Sequence, residues 1–188
     1  MRTIKKGIIT IGAVLALAAS AAIAAPATSN RLETGGQSVS EQVRKELVTL
    51  PYYGVFDNLA YKIEGSTVTL YGQVMRPSTR QDAENRVARI NGVARVVNNI
   101  EVLPLSSFDD SVRVRTYQTL FRAGGLYRYA MGANPSIHIV VRNGNVTLEG
   151  VVANDADRQL AYMAASNVPG VFSVTNNLRA ERSGKRAY

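Results

Sequence analysis

The 188-residue sequence holds 22 basic and 14 acidic residues, a formal charge of +8, and no cysteine. The missing thiols exclude disulfides, a thiolate zinc site and lipid attachment at a cysteine, and a single histidine, His138, leaves most transition-metal and triad chemistry without its usual ligand or base. The positive balance favours anionic surfaces in general without choosing among them.

Residues 1–24 read as a secretory signal peptide. Arg2, Lys5 and Lys6 precede an uncharged, alanine-rich run, and Ala22-Ile23-Ala24 satisfies the small-x-small rule for cleavage after Ala24. An uncleaved anchor is the alternative, but the run is at the short end for spanning a bilayer. The leader carries three of the basic residues and no acid, which leaves the mature chain at +5. The expectation is an exported, non-lipidated protein that does not meet nucleic acid. Residues 25–39 read as a flexible linker.

Ser38 and Glu41 form a capping-box pattern, and Val43, Leu47 and Leu50 follow at helical spacing until Pro51. Leu59, Tyr61 and Ile63 alternate as in a strand, Gly65-Ser66 turns the chain, and Val68, Leu70, Gly72 and Val74 line one face of the returning strand. Ser78 is placed to cap a second helix striped by Ala83, Val87 and Ile90, which Asn91-Gly92 ends. Val93 to Val102 supply a last strand.

The same order then repeats. Asp109 or Asp110 starts a helix running to Phe121, Ile137, Ile139 and Val141 alternate, and Asn143-Gly144 is a strong hairpin turn. Asn154 caps a helix that Pro169-Gly170 closes, and Val171 to Leu178 make the final strand. Aligned without a gap, 65–100 and 143–178 share 13 of 36 residues, where chance gives about two. VTLYGQV at 68–74 returns as VTLEGVV at 146–152. The fold class is α+β: two tandem αββαβ domains, 40–104 and 109–180, each a three-stranded sheet packed by two helices, followed by a mobile tail at 181–188. Gly72 and Gly150 fall on the aliphatic face, and are read as structural glycines where a helix crosses the sheet.

TVTLYGQV and NVTLEGVV, with the closings INGVARVVNNI and VPGVFSVTNNL in the same helix–hairpin–helix–strand order, resemble the BON family of bacterial osmotic-stress and nodulation domains. The resemblance covers most of the mature chain. It implies a periplasmic or envelope protein that binds phospholipid surfaces or supports envelope integrity, without catalysis. Several family members are lipoproteins, and the absence of cysteine departs from that pattern.

The copies differ most at FRAGGLYRYAMGANP, 121–135, where copy two is longer by nine residues. Phe121, Leu126, Tyr127, Tyr129 and Met131 stand among Arg122 and Arg128 around Gly124-Gly125, a combination suited to an anionic membrane interface or to an envelope protein partner. The alternative is that these aromatics close the core or the contact between domains. Tyr52, Tyr53 and Phe56 in PYYGVF occupy the corresponding place in copy one, as a smaller contact or a core cap. His138, between Ile137 and Ile139, is expected to point away from the aliphatic face as a surface or interface histidine. Arg76, Arg80, Arg86, Arg89 and Arg95 read as a solvated basic helix surface. The sequence has no phosphate loop, Gly-x-Ser-x-Gly elbow or His-Glu-x-x-His, so no catalytic residue, metal ligand or cofactor is expected. Oligomeric state is left open by the sequence.

Overall fold

The computed structural model of the protein describes residues 38–132 and 134–181. The leader, nearly all of the 25–39 linker and the tail beyond Glu181 lie outside the described residues.

Copy one runs α1 (Val39–Val48), β1 (Asn58–Glu64), β2 (Thr67–Val74), α2 (Pro77–Val87) and β3 (Arg95–Val102). Copy two runs α3 (Ser107–Arg122), a 3₁₀ turn (Leu126–Ala130), β4 (Ile137–Arg142), β5 (Asn145–Val152), α4 (Asp155–Ser166), β6 (Ser173–Asn176) and β7 (Arg179–Ala180). In each sheet the middle strand pairs antiparallel with its hairpin partner and parallel with the strand that follows the second helix. The last strand of copy two is broken. β6 and β7 pair with β5 in succession, and between them Leu178 is buried and its N–H turns to the Asn176 side chain at 3.2 Å.

Alternation on the middle strands decides the core. Val68, Leu70 and Val74 are fully buried and pack under α1 and α2 with Val43, Leu47, Ala83 and Val87. Val146, Leu148 and Val152 do the same beneath α3 and α4, with Val112, Leu120, Ala161 and Ala165. Among the described residues no helix covers the opposite face of each sheet, which is mostly polar.

The caps follow the sequence in two helices and depart from it in two. Ser38 and Glu41 bond reciprocally, and the Asn154 side chain accepts from Asp157 N at 2.8 Å. Ser78 caps nothing: Pro77 opens α2 at the first helical position, where its missing N–H would have had no partner. Nor do Asp109 or Asp110 start α3. Ser106 caps it through Asp109 N, which frees the buried Asp109 carboxylate to accept from Asn143 N at 2.9 Å and Gly144 N at 2.8 Å. Arg113, one turn on, donates to Val141 O at 2.7 Å, so α3 is fastened to the tip of the second hairpin by two side chains.

The strand glycines have a backbone reason rather than the expected helix crossing. Gly72 and Gly150 hold φ of +115° and +124°, and a Cβ at either would run into a main-chain carbonyl of the adjacent strand's start, Asn58 or Ser136. In the second hairpin, Ser136 O accepts from Val151 N at 3.0 Å in unbroken register with the Ile137–Gly150 pair, which holds this carbonyl against Gly150 and leaves no room for a side chain.

Candidate functional site

The 121–135 insertion divides into core and surface. Phe121, Leu126 and Tyr129 are buried in the second core, so they do not face a membrane in this fold. Arg122, Tyr127, Arg128 and Met131 are exposed. The reason lies in Gly124-Gly125, which fold the chain back in positive φ instead of loosening it. A Cβ on Gly124 would meet Leu160 of α4 at 2.6 Å. Tyr129 is then pinned: its hydroxyl donates to Asp157 Oδ2 at 2.7 Å and accepts from Ala153 N at 2.8 Å. Arg128 bonds the same carboxylate and the same hydroxyl, which commits its charge to the turn.

PYYGVF joins the two copies. Val55 O accepts from Ile139 N at 2.7 Å, and Val55 and Phe56 pack on the core of copy two. The Phe56 and Tyr117 rings meet edge-on with centroids 6.2 Å apart. Tyr53 lies 5.5 Å from the His138 ring, whose Nδ1 is 3.2 Å from Gly54 O, so His138 is an interface histidine. The buried Asp57 carboxylate sets this loop by accepting from Gly54 N at 3.0 Å and Met75 N at 2.7 Å. Burial dominates the titration of all three groups: it pushes Tyr53 up to about 12, raises Asp57 above its usual 3.8 and lowers His138 below 6.5. Tyr52 alone of the predicted trio stays outside, 70% exposed beneath the Arg76 guanidinium.

Sequence reasoning passed over a second exposed surface on copy two. Phe108 at the start of α3 and Phe172 before β6 stack with centroids 5.7 Å apart, and are 44% and 73% exposed. Arg115 stands next to them, donating from Nε to Pro169 O at 3.1 Å. It lines a shallow groove of about 380 Å³ with Gln118, Thr119, Arg122 and Pro169. The signal lay in the repeat alignment. Phe172 takes the place of Ala94 at the 78-residue offset, and Arg115 takes that of Glu46 at the 69-residue helix offset. In copy one Glu46 pairs with Arg86 at 3.4 Å, whereas no carboxylate lines the Arg115–Arg122 groove.

The BON domain family model matches 37–104 and 128–182, more than half of the chain. The chain belongs to the BON family. Both BON repeats fit the α+β architecture described above, and the family is one of envelope-associated, generally non-enzymatic modules. The second match begins inside the insertion, so α3 with Phe108, Arg115 and Arg122 precedes the matched residues while Phe172 lies within them. No curated protein matches the chain. Two solved structures are similar to it: the C-terminal domain of CdsD, a structural protein of the type III secretion system of Chlamydia trachomatis, at 11% identity over 79% of this chain and 100% of that one with a TM-score of 0.31, and a second structure of CdsD at 11% over 77% and 93% with a TM-score of 0.26. Among the described residues no group of three or more His, Asp or Glu side chains gathers as a metal site, and no helix is long and apolar enough to cross a membrane.

Proposed function

We propose that the protein is a non-enzymatic, exported envelope protein whose second BON repeat binds anionic phospholipid surfaces and so supports the envelope under stress. The observation that carries this reading is the exposed Phe108–Phe172 stack beside the Arg115–Arg122 groove. Exposed rings settle at headgroup depth, and each nearby cation contributes about 1 kcal/mol on an anionic surface. A guanidinium also matches phosphate oxygens in a forked, two-bond geometry. Arg122, Tyr127 and Met131 are the exposed residues of the insertion that can extend the contact. The basic, apolar leader at 1–24 and the absence of cysteine support a periplasmic, non-lipidated location.

Binding of an envelope protein partner is the second reading, since the same aromatic pair suits the core of an interface. Strand addition at the second hairpin is disfavoured because Ile139 N, in the middle of its free edge, is already bonded to Val55 O. Sedimentation with anionic and neutral vesicles at two salt concentrations tests the proposal. Binding that needs anionic lipid and weakens with salt supports it; equal binding to both vesicles, or to neither, refutes it.

A further inference from the structure

A concave, polar site lies away from that surface, on the helix-free side where the two sheets meet. It encloses about 410 Å³, within the roughly 300–1,000 Å³ of small-molecule sites. Thr147 and Thr175 stand side by side on β5 and β6, and beside them Asn177 Nδ2 donates to Glu149 Oε1 at 2.6 Å. Copy one supplies the facing wall through Gln73 and Glu101, and Arg142 reaches from β4 to Glu101 at 2.8 Å across the junction.

Three properties narrow the ligand. Charge comes first: Arg142 offsets Glu101, so Glu149 leaves a small negative surplus that disfavours phosphates and other anions. Carboxylates are too few for a dedicated cation cage, with Glu101 and Glu149 the acidic side chains on the lining. Finally, the hydroxyls of Thr147 and Thr175 and the amide of Gln73 make no hydrogen bond to any described residue, and Asn177 Oδ1 remains as a further acceptor. Donors and acceptors mixed at this density, with Leu103 and Val140 as the apolar part, suit a neutral ligand rich in hydroxyl groups.

The fold does not require this polarity. At the 78-residue offset, Glu149 and Thr175 correspond to Tyr71 and Val97 on the same face of the first sheet. Those strand positions therefore accept an aromatic and an aliphatic residue where copy two carries a carboxylate and a hydroxyl, while Thr147 and Asn177 match Thr69 and Asn99 of copy one.

We propose that this junction groove binds a saccharide, held by Thr147, Thr175, Glu149 and Asn177 from the second repeat and by Gln73 from the first. The test is an amide NMR titration of protein expressed from the 188-residue sequence, with chitotetraose and with maltotetraose as probes. Saturable shifts with either sugar, gathered at 147–149 and 175–177, are expected. Thr147→Val with Thr175→Val should weaken binding about tenfold, because two hydrogen bonds of roughly 0.5–1.5 kcal/mol each are lost. Gln73→Ala, on the other repeat, should weaken it independently of any effect on the second sheet. Absence of saturable shifts with both sugars, shifts gathered elsewhere, or affinity unchanged in these variants would overturn the assignment. Vesicle binding plays no part in this readout, so the two proposals stand or fall separately.

Discussion

Ile139 N donates to Val55 O at 2.7 Å, so a loop of the first repeat occupies part of the exposed edge of the second repeat's sheet. An edge strand offers unpaired N–H and C=O groups to any passing chain, and here the neighbouring repeat occupies the middle of that edge. Phe56 adds apolar contact to the same junction by packing on the second core. Each repeat is close to the lower size limit for an independent core, and the shared loop offsets part of that shortfall.

Phe56→Ala should therefore loosen a sheet to which Phe56 does not belong. The ring is only partly buried, so the cost is about 1–3 kcal/mol, below that of a fully buried phenylalanine. Hydrogen exchange at Ile139 should accelerate about tenfold or more in this variant. Unchanged protection would mean that the junction contributes nothing to the second sheet.

The junction also predicts a pH dependence. Burial lowers the His138 pKa below 6.5, so the unfolded chain takes up a proton before the folded chain does. The contribution of His138 is complete above 6.5 and is lost as pH falls from there toward the folded value. Asp57 has the opposite sign: its raised pKa means stability is greatest where the folded form is protonated and declines as pH rises from 3.8 through the folded value. Urea midpoints should accordingly fall as pH is lowered from about 7.5 through 6.5. His138→Gln should flatten that slope, and an identical slope in the variant would remove His138 as its source.

Gly72→Ala and Gly150→Ala should each cost at least about 2 kcal/mol, since both backbone conformation and a carbonyl collision oppose a side chain. Gly54 is the control: its φ is not positive and nothing lies within 4 Å of an added Cβ, so Gly54→Ala should stay within about 0.5 kcal/mol. Thermal unfolding of the three variants gives the comparison.

Much of the fold is readable in the sequence because its signals are local. The Asn143-Gly144 turn, the Asn154 cap, the buried alternation of VTLYGQV and VTLEGVV, and the repetition itself each depend on a few neighbouring residues. The glycine role was not local. It required knowing that Asn58 and Ser136 place a carbonyl over the opposite strand. The insertion misleads for a similar reason: alternating aromatics and arginines look amphipathic, yet a buried carboxylate 28 residues away, Asp157, draws Tyr129 inward. Phe108 and Phe172 stand far apart in the chain and become a pair only when α3 and the 169–172 turn meet.

Tyr129→Phe separates a core role from a membrane role. Losing the hydroxyl leaves Ala153 N without its partner and removes a bond to the Asp157 carboxylate, a cost of about 1–3 kcal/mol. Vesicle binding by the folded variant should equal that of the parent. Reduced binding at unchanged stability would place Tyr129 on the binding surface instead.

The most direct test of the central claim is vesicle partitioning of the parent against two double variants, Phe108→Ser with Phe172→Ser and Arg115→Gln with Arg122→Gln. The charge variant should lose about thirty-fold in affinity for anionic vesicles, the equivalent of two cations at about 1 kcal/mol each, and should show a shallower salt dependence. The aromatic variant should lose affinity while keeping the parent's salt dependence. Parent-like binding by both folded variants would contradict the assignment of this surface of the second BON repeat to the membrane.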